Sequence, residues 1–264
     1  MRRVASFGVL VGWLVAPVGL AAPLDSVEEV RACMRANLPE RTSRQRIELK
    51  ARDRAGGERV LEAQLHWKRF RRDLPRVRIR VDSPPDMRGA TYLLIEQEKG
   101  RDSEMYMYLP AVQRVRRISE RSMSDQLWGT DFSYDDMRQL QWIAAEGSHE
   151  QRENSEVAGR PVYVLDLALA PEEGSTYERL QAYVDQETCV SLRIEFFERG
   201  DKPRKVLEAD PSSLAQEGER WLARKMEMKD LREHTTSWLR IVEVQHDGDI
   251  PDRIFNPTLL DRGR

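Results

Sequence analysis

The chain has 264 residues, 33% of them charged, with 43 basic and 45 acidic side chains and a formal net charge of -2. Its mean hydropathy is -0.66. Near-neutral charge argues against a nucleic-acid footprint, which needs a basic excess or a concentrated basic face. Beyond the N-terminal segment, no uncharged apolar window of about 18 residues is available for a membrane span.

Met1, Arg2 and Arg3 precede a run that is apolar or small from Val4 to Leu20 apart from Ser6, and no acidic residue comes before Asp25. This is a signal-peptide pattern, with small residues placed for cleavage after Ala21 or Ala22. Residues 1–22 are therefore expected to be removed on export. The mature part, residues 23–264, is expected to form a single domain in the periplasm. No cysteine follows the cleavage region, so N-terminal lipidation is not expected and the product should be released. Cys33 and Cys189 are the only cysteines. An oxidising compartment would let them pair, but two free, buried thiols are favoured here and the pairing is left open.

Asp25 or Ser26 can cap a short helix in which Val27, Val30, Met34 and Leu38 recur at helical spacing, ending before Pro39. The period then changes to two. Leu61, Ala63, Leu65 and Trp67 alternate with polar residues, as Val77, Ile79 and Val81 alternate with Arg76, Arg78 and Arg80. Further strands are predicted over 92–95, 105–109, 112–118, 161–169, 177–185, 190–198, 221–229 and 236–245. Their spacing leaves little room for crossover helices. Ten or eleven antiparallel strands in one long twisted sheet are expected, which must curl, split or close to protect its apolar face.

The stretch 122–142 interrupts this pattern. Ser133 reads as a cap for a short helix through Met137 and Leu140, and Leu127, Trp128, Phe132, Tyr134 and Trp142 are too apolar for a bare loop. This segment is expected to lie over the sheet as a cover.

The stretch Met105-Tyr-Met-Tyr-Leu-Pro-Ala-Val-Gln-Arg-Val-Arg-Arg-Ile-Ser119, followed by Trp128-Gly-Thr-Asp-Phe-Ser-Tyr-Asp-Asp136, resembles the outer-membrane lipoprotein-sorting protein family of LolA-like periplasmic carriers. The resemblance extends upstream through Ser83-Pro-Pro-Asp-Met-Arg-Gly-Ala-Thr-Tyr-Leu93, and downstream through Glu219-Arg-Trp221 and Ile250-Pro-Asp-Arg-Ile-Phe255. It implies a mainly β fold with a few helices (α+β): a curved antiparallel sheet forming an incomplete barrel, with helices over its concave face and an apolar cavity between them.

The function it implies is carriage of lipid or lipoprotein acyl chains between membranes. An inner-membrane RND-type transporter or an outer-membrane acceptor would then be the partner, with transient membrane contact, no nucleic acid and no cofactor. A sensor or adaptor for a membrane-protein partner is the alternative. Candidate cavity residues are Leu61, Leu65, Trp67, Met105, Met107, Leu109, Phe132, Met226 and Met228; methionine suits irregular apolar shapes. Candidates for a latch between cover and sheet are Arg116, Arg117, Asp131, Tyr134 and Asp136, with Asp131 expected to contact an arginine. The competing reading is solvated charges plus a helix cap at Ser133. Catalysis is not expected: no H-x-x-x-H spacing, nucleophile elbow, P-loop or dinucleotide fingerprint occurs.

Overall fold

The computed structural model describes residues 24–70, 74–97, 103–143, 149–169 and 174–262. The expected signal peptide lies outside them. Helix α1 (Val27–Ala36) starts where Ser26 accepts a hydrogen bond from the Glu29 amide while the Glu29 carboxylate reaches back to the backbone of Ser26. This reciprocal cap satisfies amides that a helix start leaves orphaned. Val30 and Met34, one turn apart, face inward and are buried.

Six strands follow: β1 (Thr42–Arg52), β2 (Glu58–Arg69), β3 (Pro75–Ser83), β4 (Thr91–Ile95), β5 (Glu104–Leu109) and β6 (Arg114–Arg117). Helix α2 (Tyr134–Trp142) comes next. Nine more strands complete the fold: β7 (His149–Val157), β8 (Arg160–Ala168), β9 (Arg179–Asp185), β10 (Ser191–Phe197), β11 (Lys205–Ala209), β12 (Leu214–Glu217), β13 (Arg220–Ala223), β14 (Lys225–Asp230) and β15 (Thr235–His246).

Thirteen strands form one open antiparallel sheet in the order β6-β5-β4-β3-β2-β1-β15-β14-β11-β10-β9-β8-β7, and β12 and β13 form a separate hairpin. The chain thus starts in the middle of the sheet, steps outward to the β6 edge, resumes at the opposite edge with β7 and returns until β15 pairs with β1. The connection carrying α2 must therefore pass from one edge to the other. This topology makes it a cover.

Alternation of side chains across each strand divides the sheet into two faces. The inner face carries rungs such as Trp67–Val77–Leu94–Met105 and Leu65–Ile79–Tyr92–Met107. These join α1 and the cover in one large apolar cluster. Two smaller clusters lie apart from it. One joins Leu93, Ile95 and Tyr106 to Ile250 and to Phe255 and Leu260 of the C-terminal 3-10 turns, and the other joins Val162, Val164 and Leu192 to Leu214 and Ala223 of the β12–β13 hairpin.

The expected count of ten or eleven strands was too low. β1, β7, β11 and β12 were not anticipated, and the single strand expected over 221–229 divides at Arg224, since β13 pairs with β12 while β14 pairs with β11 and β15. The two cysteines also depart from the favoured reading. Cys33 and Cys189 are bonded, with Cα atoms 5.7 Å apart and a sequence separation of 156. The bond ties α1 to the turn between β9 and β10, where the Asn37 side chain also donates to the carbonyl of Thr188 at 2.8 Å.

Candidate lipid-binding face and its cover

All nine candidate cavity residues belong to the inner cluster. Leu61, Trp67, Met105, Phe132 and Met228 are buried within it, and Leu65, Met107, Leu109 and Met226 pack partly exposed against it. They come from β2, β5, the cover and β14. Successive antiparallel strands present them on one side because each is in register with an inner-facing neighbour, Met107 opposite Tyr92 and Met226 opposite Leu239. Cover side chains fill the space above them. Tyr134 stacks on Tyr92 with ring centroids 5.8 Å apart and donates its hydroxyl to Met107 Sδ at 3.0 Å. Burial, with a smaller contribution from Asp125, pushes the Tyr134 phenol up to about 12. Two clefts of about 430 and 580 Å3 open elsewhere, and both are lined chiefly by charged and polar side chains.

The cover is fastened by buried polar groups. Ser133 caps α2 reciprocally with Asp136, the two backbone–side-chain bonds measuring 2.7 and 3.1 Å. Asp136 also accepts from Lys205 Nζ at 2.7 Å and from the Tyr177 hydroxyl at 2.6 Å. The same lysine donates to the backbone carbonyl of Asp131 at 2.7 Å. Asp131 uses its carboxylate differently, accepting from the Thr235 hydroxyl and from Ser237 Oγ at 2.6 Å. The contact expected between Asp131 and an arginine is therefore replaced by two hydroxyls two residues apart on β15.

Asp135 holds the other side. It accepts from Ser175 Oγ at 2.8 Å, from the Thr176 amide at 2.6 Å and from Arg138 at 2.8 Å. Burial alone would raise its pKa, but Arg138 and these hydrogen bonds prevail and hold the carboxyl below the usual carboxylate range. Tyr177 is driven the other way, upward, first by burial and then by Asp136. Both groups therefore keep their neutral-pH states, one charged and one not.

Of the latch candidates, Asp131 and Asp136 fasten the cover to the sheet through Lys205, Thr235 and Ser237, and Tyr134 packs on Tyr92 and Met107. Arg116 and Arg117 are exposed on the edge strand β6 and take no part in the network. The carboxylates, unlike the two arginines, are not solvated: Asp135 and Asp136 have no exposed surface and Asp131 has 3%. Sequence reasoning missed Lys205, Tyr177, Thr235 and Ser237.

A family model described as that of an uncharacterized protein matches residues 76–262. No curated protein matches the sequence. Among solved structures, the chain is similar to an outer-membrane lipoprotein-sorting protein domain from Vibrio parahaemolyticus, with a TM-score of 0.79 and 22% identity over 89% of this chain and 98% of that one. It is similar to a DUF1329 family protein from Desulfovibrio piger, with a TM-score of 0.81 and 22% identity over 88% of this chain and 97% of that one. A LolA superfamily protein from Nitrosomonas europaea superposes with a TM-score of 0.67 and 17% identity, over 88% of this chain and 98% of that one. The open curved sheet with two helices matches these neighbours in fold. The chain belongs to a family of uncharacterized proteins built on the LolA-like fold.

Proposed function

We propose that the protein is a periplasmic carrier, a single domain over residues 23–264, that takes the acyl chains of a lipid or lipoprotein against its inner face and moves them between membranes. The observation that carries this reading is the continuous apolar inner face beneath a segment that topology forces across the sheet. Similarity in fold to a lipoprotein-sorting domain supports it. The Cys33–Cys189 bond supports an oxidising compartment, in agreement with the leader expected from the first 22 residues. The partners would be an inner-membrane RND-type transporter or an outer-membrane acceptor.

The cover occupies the inner face, so an acyl chain must displace it. A sixteen-carbon chain offers on the order of 10 kcal/mol of gross transfer free energy at about 0.8 kcal/mol per methylene. That is enough to offset the loss of several cover contacts, and it makes cover opening and chain uptake one coupled equilibrium. Cavity residues supplied by methionine adapt to the incoming chain at small cost.

Native mass spectrometry of protein purified from cells tests the reading. Co-purifying lipid at one chain-bearing molecule per protein is the expected result. Protein that stays ligand-free while a membrane-protein partner co-purifies in stoichiometric amount would instead favour the sensor or adaptor reading.

A further inference from the structure

On the outer face, a cleft of about 430 Å3 lies between β3–β5 and the C-terminal 3-10 turns, lined in part by Arg76, Gln97, Glu104, Asp252, Arg253 and Asn256. Its two acids are already engaged. Glu104 accepts from the Tyr106 hydroxyl at 2.6 Å and from the Gln97 amide at 3.4 Å, and Asp252 pairs with Lys68 at 2.7 Å. Its two guanidinium groups are not: among the described residues neither Arg76 nor Arg253 has a carboxylate partner. Arg76 is instead held over the Phe70 ring, 4.1 Å from its centroid, which fixes the orientation of its fork. Asn256 uses its side-chain oxygen to accept from the Thr258 amide and hydroxyl, at 3.0 and 2.9 Å, which leaves its NH2 group to donate.

The row behind the cleft holds further nitrogens without hydrogen-bond partners. Arg78, two residues from Arg76 on the same face of β3, is 6% exposed and its Nε has no hydrogen-bond partner. His66, its register partner on β2, likewise leaves Nδ1 unbonded, as Arg80 does its Nε. A buried guanidinium short of acceptors, such as Arg78, is costly, and an anion in the neighbouring cleft offsets part of its charge. We propose that this cleft binds a phosphate group, held by the Arg76 and Arg253 guanidiniums and the Asn256 amide. Paired guanidinium forks match phosphate oxygens in geometry as well as charge. The cleft is larger than one phosphate ion, so the phosphate is carried on a bigger polar body, either a lipid headgroup or a free phosphate ester. The site lies on the face opposite the cover, and its failure would leave the carrier reading untouched.

Isothermal titration of the leaderless protein in phosphate-free buffer, with inorganic phosphate and with monomeric short-chain phosphatidylglycerol as probes, tests this. Wild type is expected to bind at least one probe. Arg253→Gln, at an exposed position, is expected to weaken that binding by about tenfold or more, the loss of one hydrogen bond to a charged group; Arg76→Gln is expected to do the same. Tighter binding of phosphatidylglycerol assigns the site to a headgroup, and tighter binding of inorganic phosphate assigns it to a free ester. Absence of binding to both probes, or affinities unchanged in both variants, overturns the proposal.

Discussion

Where the cover meets the sheet, Asp131, Asp135, Asp136 and Lys205 are all buried, and each is paired or hydrogen-bonded within the chain. On the outer face, Arg78 and His66 are buried to nearly the same degree yet keep ring or guanidinium nitrogens unbonded, and Arg76 and Arg253 line an open cleft without pairing with its two carboxylates. The same physical chemistry gives these regions different roles. A polar group desolvated with all its partners supplied by the fold specifies one arrangement of the chain. One desolvated without them leaves a deficit that something outside the chain can fill. The first region fastens a cover and the second presents a recognition site.

Removing one member of the satisfied network should have the largest effect. Lys205→Met leaves Asp136, which is fully buried, without its cation, at a cost of about 3–5 kcal/mol in chemical denaturation. Arg116→Gln combined with Arg117→Gln should change the same measurement by less than about 0.5 kcal/mol, since both side chains are exposed at an edge. Equal effects from the two experiments would erase the distinction between cover and rim. Between these extremes lies Cys33→Ala with Cys189→Ala, expected to cost about 2–5 kcal/mol because the bond closes a long loop.

The outer face should declare itself through pH. Burial, then Arg78 and Arg44, depress the His66 pKa from 6.5 to about 4. The folded protein therefore takes up this proton only near pH 4, whereas the unfolded chain takes it up near 6.5. Stability from this group is intact above about pH 6.5 and falls as the pH drops toward 4, by on the order of 2–3 kcal/mol. Denaturation of His66→Gln at pH 7.5 and 4.5 should show a correspondingly flatter loss than wild type; identical pH profiles would place His66 in ordinary solvent.

The readability of the sequence follows the same division. Strands in which apolar and polar residues alternate, such as β2 and β3, announce themselves by that period, and Ser133 announces α2 through its cap. β7 gives no such signal because its sequence HEQRENSEV is polar on both faces, as suits a sheet edge. β11 and β12, at five and four residues, are too short to show a period. The inner-face residues were legible as a set, because their apolar character alone sends them to one side. Their fasteners were not, since Lys205 and Ser237 lie 69 and 106 residues from the aspartates they bind, and no local pattern encodes a meeting that depends on sheet order.

The central claim is that an acyl chain enters beneath the cover, and hydrogen–deuterium exchange with monopalmitin, an uncharged lipid that cannot exploit the outer cleft, tests it most directly. The account predicts altered exchange over residues 118–143 and in α1, with residues 249–262 unchanged. Unaltered exchange in the cover and α1 at saturating lipid would contradict it.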